Sequence, residues 1–126
     1  MTENELSRII LSAAIEVHRE LGGPGLLESV YEEALAEELL LRGVHVERQN
    51  LVPIPYKGKQ LKTPLRLDLL VGGLVIVEVK ATEQNIPLYN AQVLTYLRLT
   101  SLKLGMVVNF GYRLVKDGTQ RVVNGL

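Results

Sequence analysis

Asp68, Glu78 and Lys80 are the residues of this 126-residue chain whose types and spacing could do chemistry. They lie in residues 65–81, LRLDLLVGGLVIVEVKA, where two apolar runs flank Gly72-Gly73. The second run places Glu78 and Lys80 where a core strand would have more valine. Strand side chains alternate faces with a period of two, so Glu78 and Lys80 share one face while Val75, Val77 and Val79 take the other. In the first run Arg66 and Asp68 oppose Leu67, Leu69 and Val71. A three-residue loop, Gly72-Gly73-Leu74, pairs Val71 with Val75 and sets Asp68 across from Glu78, whereas a two-residue Gly72-Gly73 turn would pair Asp68 with Val77. We expect the first register. Two carboxylates about 4 Å apart repel by roughly 4 kcal/mol at an effective dielectric of about 20, a cost that a divalent cation would turn into attraction. Oxygen-only ligands suit Mg²⁺ or Mn²⁺. Lys80 could orient or deprotonate an attacking water, or stabilise the charge that develops during phosphodiester cleavage, which is metal-assisted hydrolysis. In a purely structural role, Lys80 would pair with Glu78 or snorkel at a strand end.

Asp68 followed by Glu78-Val79-Lys80 resembles the acid and E-x-K elements of the PD-(D/E)XK nuclease superfamily. The segment Gly25-Leu26-Leu27-Glu28-Ser29-Val30-Tyr31 is similar to the signature of its GxxExxY family. The likeness takes in AAIEVHRELG before that signature, Ala91-Gln92 to Tyr96 after the hairpin, and VVNFG near the C-terminus. It implies an α/β, restriction-endonuclease-like core with a mixed sheet flanked by helices, and a nuclease acting on nucleic acid, DNA by resemblance. It also implies a Mg²⁺ or Mn²⁺ ion held by Asp68, Glu78 and the Val79 carbonyl, with Glu28 completing the shell and Lys80 serving the attacking water. Gln92 and Tyr96 match the Q-x-x-x-Y element of the exonuclease branch and would position substrate or Lys80. Two departures are the doubled Gly22-Gly23 and Asn90, where relatives often carry histidine. The alternative is a catalytically inactive scaffold that keeps the fold and binds a protein or nucleic-acid partner.

The elements that must position these residues are legible in order. Residues 3–21 carry Leu6, Ile9, Ile10, Ala13, Ala14, Val17 and Leu21 at helical spacing, with His18 at the edge of that face. Gly22-Gly23-Pro24-Gly25 ends this helix and starts a second, residues 26–42, stopped at Gly43. Glu28 sits in its first turn with Tyr31 and Glu32 on the same face; there a glutamate also interacts with the helix dipole, worth about 0.3–1 kcal/mol. We expect Tyr31 to fill the helix–sheet gap. Residues 44–56 read as a strand limited by Pro53 and Pro55, with His45 facing solvent, and residues 60–71 as its return, interrupted by Pro64. The turn between them is basic, through Lys57, Lys59 and Lys62, which suits phosphates or simply discourages edge aggregation. Pro87 opens a helix to about residue 102, on which Leu88, Gln92, Tyr96 and Leu99 share a face, so that Gln92 either serves the site or satisfies nearby backbone groups. Residues 105–110 form an interior strand and residues 121–123 a short last one. The expected order is ααβββαββ, a mixed sheet.

Composition bounds the rest. A hydrophobic content of 47% suits one domain spanning residues 1–126. No run approaches the roughly 20 apolar residues of a membrane span, and the polar MTENELSR start is unlike a signal peptide, so a cytoplasmic protein with no membrane partner is expected. The absence of cysteine excludes disulfides and thiolate zinc sites. Formal charge is zero, but residues 1–50 hold ten acids against four arginines and residues 51–126 ten bases against four acids. The sheet half would therefore face a phosphate backbone, or the two halves would pair between subunits of a homodimer. The few aromatic residues argue against a base-stacking platform for single strands.

Overall fold

A computed structural model describes residues Met1–Leu126. Helix α1, Glu3–Leu21, is capped at its start by the Thr2 hydroxyl, which accepts from the Glu5 N–H at 3.2 Å, and at its end by Gly22. Helix α2, Glu28–Leu41, follows the glycine-proline break. The strands are β1 (Val46–Val52), β2 (Pro55–Tyr56), β3 (Lys59–Gln60), β4 (Leu65–Val71) and β5 (Val75–Lys80). Helix α3, Pro87–Thr100, crosses over to β6 (Leu104–Asn109), and a 3₁₀ turn at Val115–Gly118 leads into β7, Thr119–Val123.

Five strands form one sheet in the order β1-β4-β5-β6-β7, antiparallel except for the β5–β6 pair that flanks the α3 crossover. The expected mixed sheet flanked by helices is therefore present. Prolines divide the two longer runs. Pro53 and Pro55 end the first after Val52, Pro64 delays the return to Leu65, and β2 and β3 pair separately as a small ribbon between them. The last strand begins at Thr119, two residues earlier than its apolar content suggests, because β6 supplies a full row of partners.

The sheet is buried on both faces. Leu6, Ile10, Tyr31, Leu35 and Leu39 of α1 and α2 cover Val75, Val77 and Val79 on one side, and Val93 and Leu97 of α3 cover Ile76 and Val107 on the other. The apolar face of α3 is thus Val93 and Leu97, not the expected Leu88–Gln92–Tyr96–Leu99 row; Leu88 is 67% exposed. Gln92 and Tyr96 lie half-buried at the margin, since α3 sits over β5 and β6 rolled toward its Val93 side.

The hairpin between β4 and β5 takes the expected register, with Val71 opposite Val75 and Leu69 opposite Val77. Gly72 and Gly73 both have positive φ, 59° and 69°, and the Leu74 N–H donates to the Val71 carbonyl at 3.0 Å, so Leu74 is the extra residue of an odd-numbered loop. Beyond Lys80, Gly111 lies against the backbone of Thr82. A Cβ there would stand 2.0 Å from the Thr82 carbonyl oxygen, where no side chain can yield. Gly111→Ala should therefore destabilise the protein by about 3 kcal/mol, the upper end of overpacking costs, measured by chemical denaturation. A variant as stable as the parent would show that the two backbones can move apart without cost.

Candidate active site

The site forms where three strands part. The β1–β4 register runs from Val46↔Val71 to Val52↔Leu65 but skips the position where Gln49 would face Asp68, and the β4–β5 ladder stops at Leu69↔Val77, one step short of Asp68 and Glu78. Gln49 adopts φ 51°, a left-handed conformation that costs a non-glycine residue on the order of 1–3 kcal/mol. The kink also reverses the alternation of β4. Leu69 and Val71 pack against α1 and α2, whereas Leu65 and Leu67 pack in the cluster beneath α3. The expected common face for Leu67, Leu69 and Val71 is corrected accordingly: strict alternation fails where the ladder breaks.

Carboxylates take over the lost ladder bonds. Glu78 Oε2 accepts from the Asp68 N–H at 2.9 Å, and Asp68 Oδ2 accepts from the Val79 N–H at 2.9 Å. The two strands are stitched across the gap by each other's acids, which satisfies amides that would otherwise be unpaired. Each acid keeps its second oxygen outside these two bonds.

Burial and mutual repulsion load the pair with unfavourable charge. Glu78 is 4% exposed. Burial first, and then the Asp68 carboxylate beside it, push its pKa up from the ordinary 4.5 to about 8, against the opposing pull of the Asp68 N–H and Lys80. Burial likewise raises Asp68, with Glu32 adding to the rise and the Val79 N–H and Lys80 opposing it. Glu28, at the exposed rim on the first turn of α2, is raised mainly by its partial burial, with Asp68 and Glu32 adding to the rise and Lys80 and the Ala81 amide opposing it. The structure therefore brings Glu28 within electrostatic reach of Asp68 and Lys80, and Glu78 within reach of the same two.

Lys80 ends β5 half-buried, its Nζ 4.8 Å from the centre of the Tyr89 ring. It lines a groove of about 400 Å³ together with Tyr89, Gln92, Thr95 and Tyr96. Burial and the nearby Glu78 charge raise the Tyr96 hydroxyl, partly offset by the Gln92 side chain beside it. Gln92 and Tyr96 thus flank the carboxylates across the face of α3. The Val79 side chain points into the α1–α2 core, leaving only its backbone at the site.

Sequence reasoning missed three participants. Glu32, 6% exposed, accepts from Arg48 Nη2 at 3.1 Å and from Gln49 Nε2 at 2.8 Å. The spacing of Glu28 and Glu32, one helical turn, was the available signal; Arg48 and Gln49 carried none. Tyr31 fills the helix–sheet gap as expected, stacked on Phe110 with centroids 4.6 Å apart. Its hydroxyl donates to the Gly23 carbonyl at 2.8 Å and accepts from the Leu26 N–H at 3.1 Å, holding the loop that launches Glu28. His18, expected at the edge of its helix face, is 5% exposed and donates through Nε2 to the Phe110 carbonyl at 3.1 Å. It closes the core rather than joining the site.

A model of the PD-(D/E)XK nuclease superfamily matches residues 4–122. The chain belongs to that superfamily. Comparison with curated proteins gives no match. A solved structure described as "Crystal structure of SSO0001" aligns with 96% of this chain and 79% of its own, at 17% identity and a TM-score of 0.45. No helix is long and apolar enough to cross a membrane. Superfamily members generally use divalent metals, and the donors here, all oxygen, suit Mg²⁺ or Mn²⁺. No three acidic or histidine side chains already stand together at metal-holding distance. The fit rests on the chemistry of the acids: a cation would supply the positive charge that Asp68 and Glu78 otherwise draw from a proton.

The raised Glu78 gives the metal-free protein a pH signature. Folded Glu78 holds its proton more tightly than the unfolded chain does, so its contribution to stability is complete below about 4.5 and is lost as pH rises through about 8. Melting temperature in chelator should fall across that interval, and Glu78→Gln should flatten the fall. An unchanged slope in the variant would assign the pH dependence to other groups.

Proposed function

We propose that this chain is a Mg²⁺- or Mn²⁺-dependent nuclease that hydrolyses phosphodiester bonds in nucleic acid, with DNA as the first substrate to test. The observation that carries this reading is the Asp68–Glu78 stitch: two acids on parted strands, each using one oxygen on the other strand's backbone, with Lys80 two residues further along the same strand. We assign cation binding to Asp68, Glu78 and the Val79 carbonyl, with Glu28 completing the shell. The bound cation would withdraw charge from the phosphoryl oxygens.

The chain's own residues do the rest. Lys80 orients the attacking water and stabilises negative charge on the phosphoryl group as the water oxygen bonds to phosphorus and the ester oxygen departs with a proton. Gln92 and Tyr96 position the strand from the α3 side of the groove. Within the superfamily we place the chain nearest the GxxExxY family. Gly25, with φ 117°, and the Tyr31 hydroxyl bonds support that placement, because together they set where Glu28 begins α2. We also take residues 1–126 as one domain.

Calorimetric titration with Mn²⁺ tests the metal half of the proposal: binding should be saturable in the parent and weakened at least about tenfold in Asp68→Ala. Cleavage of duplex and single-stranded DNA and of RNA tests the rest. Lys80→Ala should lower kcat by about 10²–10⁴-fold while leaving Mn²⁺ binding in place. Failure to bind Mn²⁺ would leave only a nuclease-like scaffold for a protein or nucleic-acid partner.

A further inference from the structure

We infer that a cationic groove along α1 binds the phosphate backbone of the nucleic acid beyond the point of cleavage. This inference rests on the nuclease reading and extends it to a second binding surface. Two cavities, of about 610 and 520 Å³, adjoin along α1 and share Lys116 in their walls. Their other cations are Arg8, Arg19, Arg113 and Arg121, and no carboxylate lines either one. In a chain of zero formal charge, this is a marked segregation.

The groove has a built axis. Arg8, Leu11, Ile15 and Arg19 follow at three, four and four residues, so they lie along one face of α1. Arg8 to Arg19 spans about 16 Å of helix, roughly the length of five nucleotide steps. The opposite wall comes from Arg113, Lys116 and Arg121. Arg8, Arg113 and Lys116 form no ion pair, whereas Arg19 is held by Glu16. Arg121 bonds to the neutral Asn4 side chain. Exposed Asp117 is adjacent in sequence but outside the lining. The partial negative charge at the C-terminal end of α1 is opposed by Arg19 in its last turn.

The groove also connects to the site. His18, buried and lining the first cavity, donates to the Phe110 carbonyl, and the Phe110 N–H donates to the Lys80 carbonyl at 2.8 Å. These buried bonds fix the wall of the first cavity to the end of β5, so the fold sets the position of the groove relative to Lys80. A second copy of the chain is the competing occupant, because Glu16, Glu20, Glu37 and Glu38 line a groove between α1 and α2. Acidic groove on basic groove is a head-to-tail pairing, which propagates rather than closing into a dimer unless its rotation happens to close a ring. The polyanion fits without that condition.

The test is fluorescence anisotropy of a labelled long DNA duplex, titrated in chelator at several salt concentrations. The triple variant Arg113→Ala, Lys116→Ala, Arg121→Ala should bind more weakly, and its slope of log affinity against log salt should drop by about 3, near 0.9 for each phosphate no longer neutralised. The charge-keeping variant Arg113→Lys, Lys116→Arg, Arg121→Lys should restore binding. Melting temperature and Mn²⁺ titration confirm that each variant is folded with its acidic site intact. Equal affinity and slope in the triple variant and parent overturn the groove, as does a parent that fails to bind duplex. In either case Mn²⁺ binding and cleavage, read separately, decide the nuclease proposal. Light scattering that shows the parent self-associating and the triple variant monomeric would overturn the groove in favour of a second copy.

Discussion

The structure depends on an exchange of hydrogen-bond partners at Asp68 and Glu78. A continuous sheet would pair the Asp68 and Val79 amides with carbonyls across the ladder. Here the strands separate, and each amide is satisfied by the acid of the opposite strand. That solution keeps the buried backbone paired but brings two carboxylates into an apolar setting. The separation, the kink at Gln49 and the reversal of alternation along β4 are one event seen from three strands.

Charge follows from that event. Glu28, Glu32, Asp68 and Glu78 converge from three elements, and Lys80 and Arg48 are the cations beside them. Arg48 is committed to Glu32, itself also held by Gln49, so the more deeply placed pair has Lys80 alone. Burial makes this imbalance matter, since the same charges in water would interact weakly. A deep acid pair short of positive charge is poised either to take a proton or to accept a cation.

The surroundings hold this arrangement rigidly. Fully buried Asn109, opposite Lys80 in the β5–β6 ladder, accepts from the Thr82 and Gly111 amides and donates to Thr82 Oγ1 and Asn85 Oδ1. Tyr89, whose ring lies beneath Lys80, donates to the same Thr82 hydroxyl at 3.2 Å. The loop after the E-x-K strand is thereby tied to the neighbouring strand, and the lysine's ring partner is tied to that loop. On the other side of the sheet, the Tyr31 hydroxyl fixes the start of α2 and with it Glu28.

Much of this was legible in the residues themselves. Apolar periodicity located α1 to its end residues and β5 within its run, because both patterns are local consequences of one buried face. The doubled glycine located the hairpin turn but left two registers open, between which the expected pairing of Asp68 with Glu78 chose, and the E-x-K spacing singled out Glu78 and Lys80. Other features lay beyond it. The gap between β4 and β5, the positive φ of Gln49, the recruitment of Glu32 and Arg48, and the roll of α3 onto Val93 all arise between segments distant in the chain. Charge and apolar spacing along a chain record which face a side chain takes, while the satisfaction of a backbone amide by an acid ten or eleven residues away exists only once the strands have met.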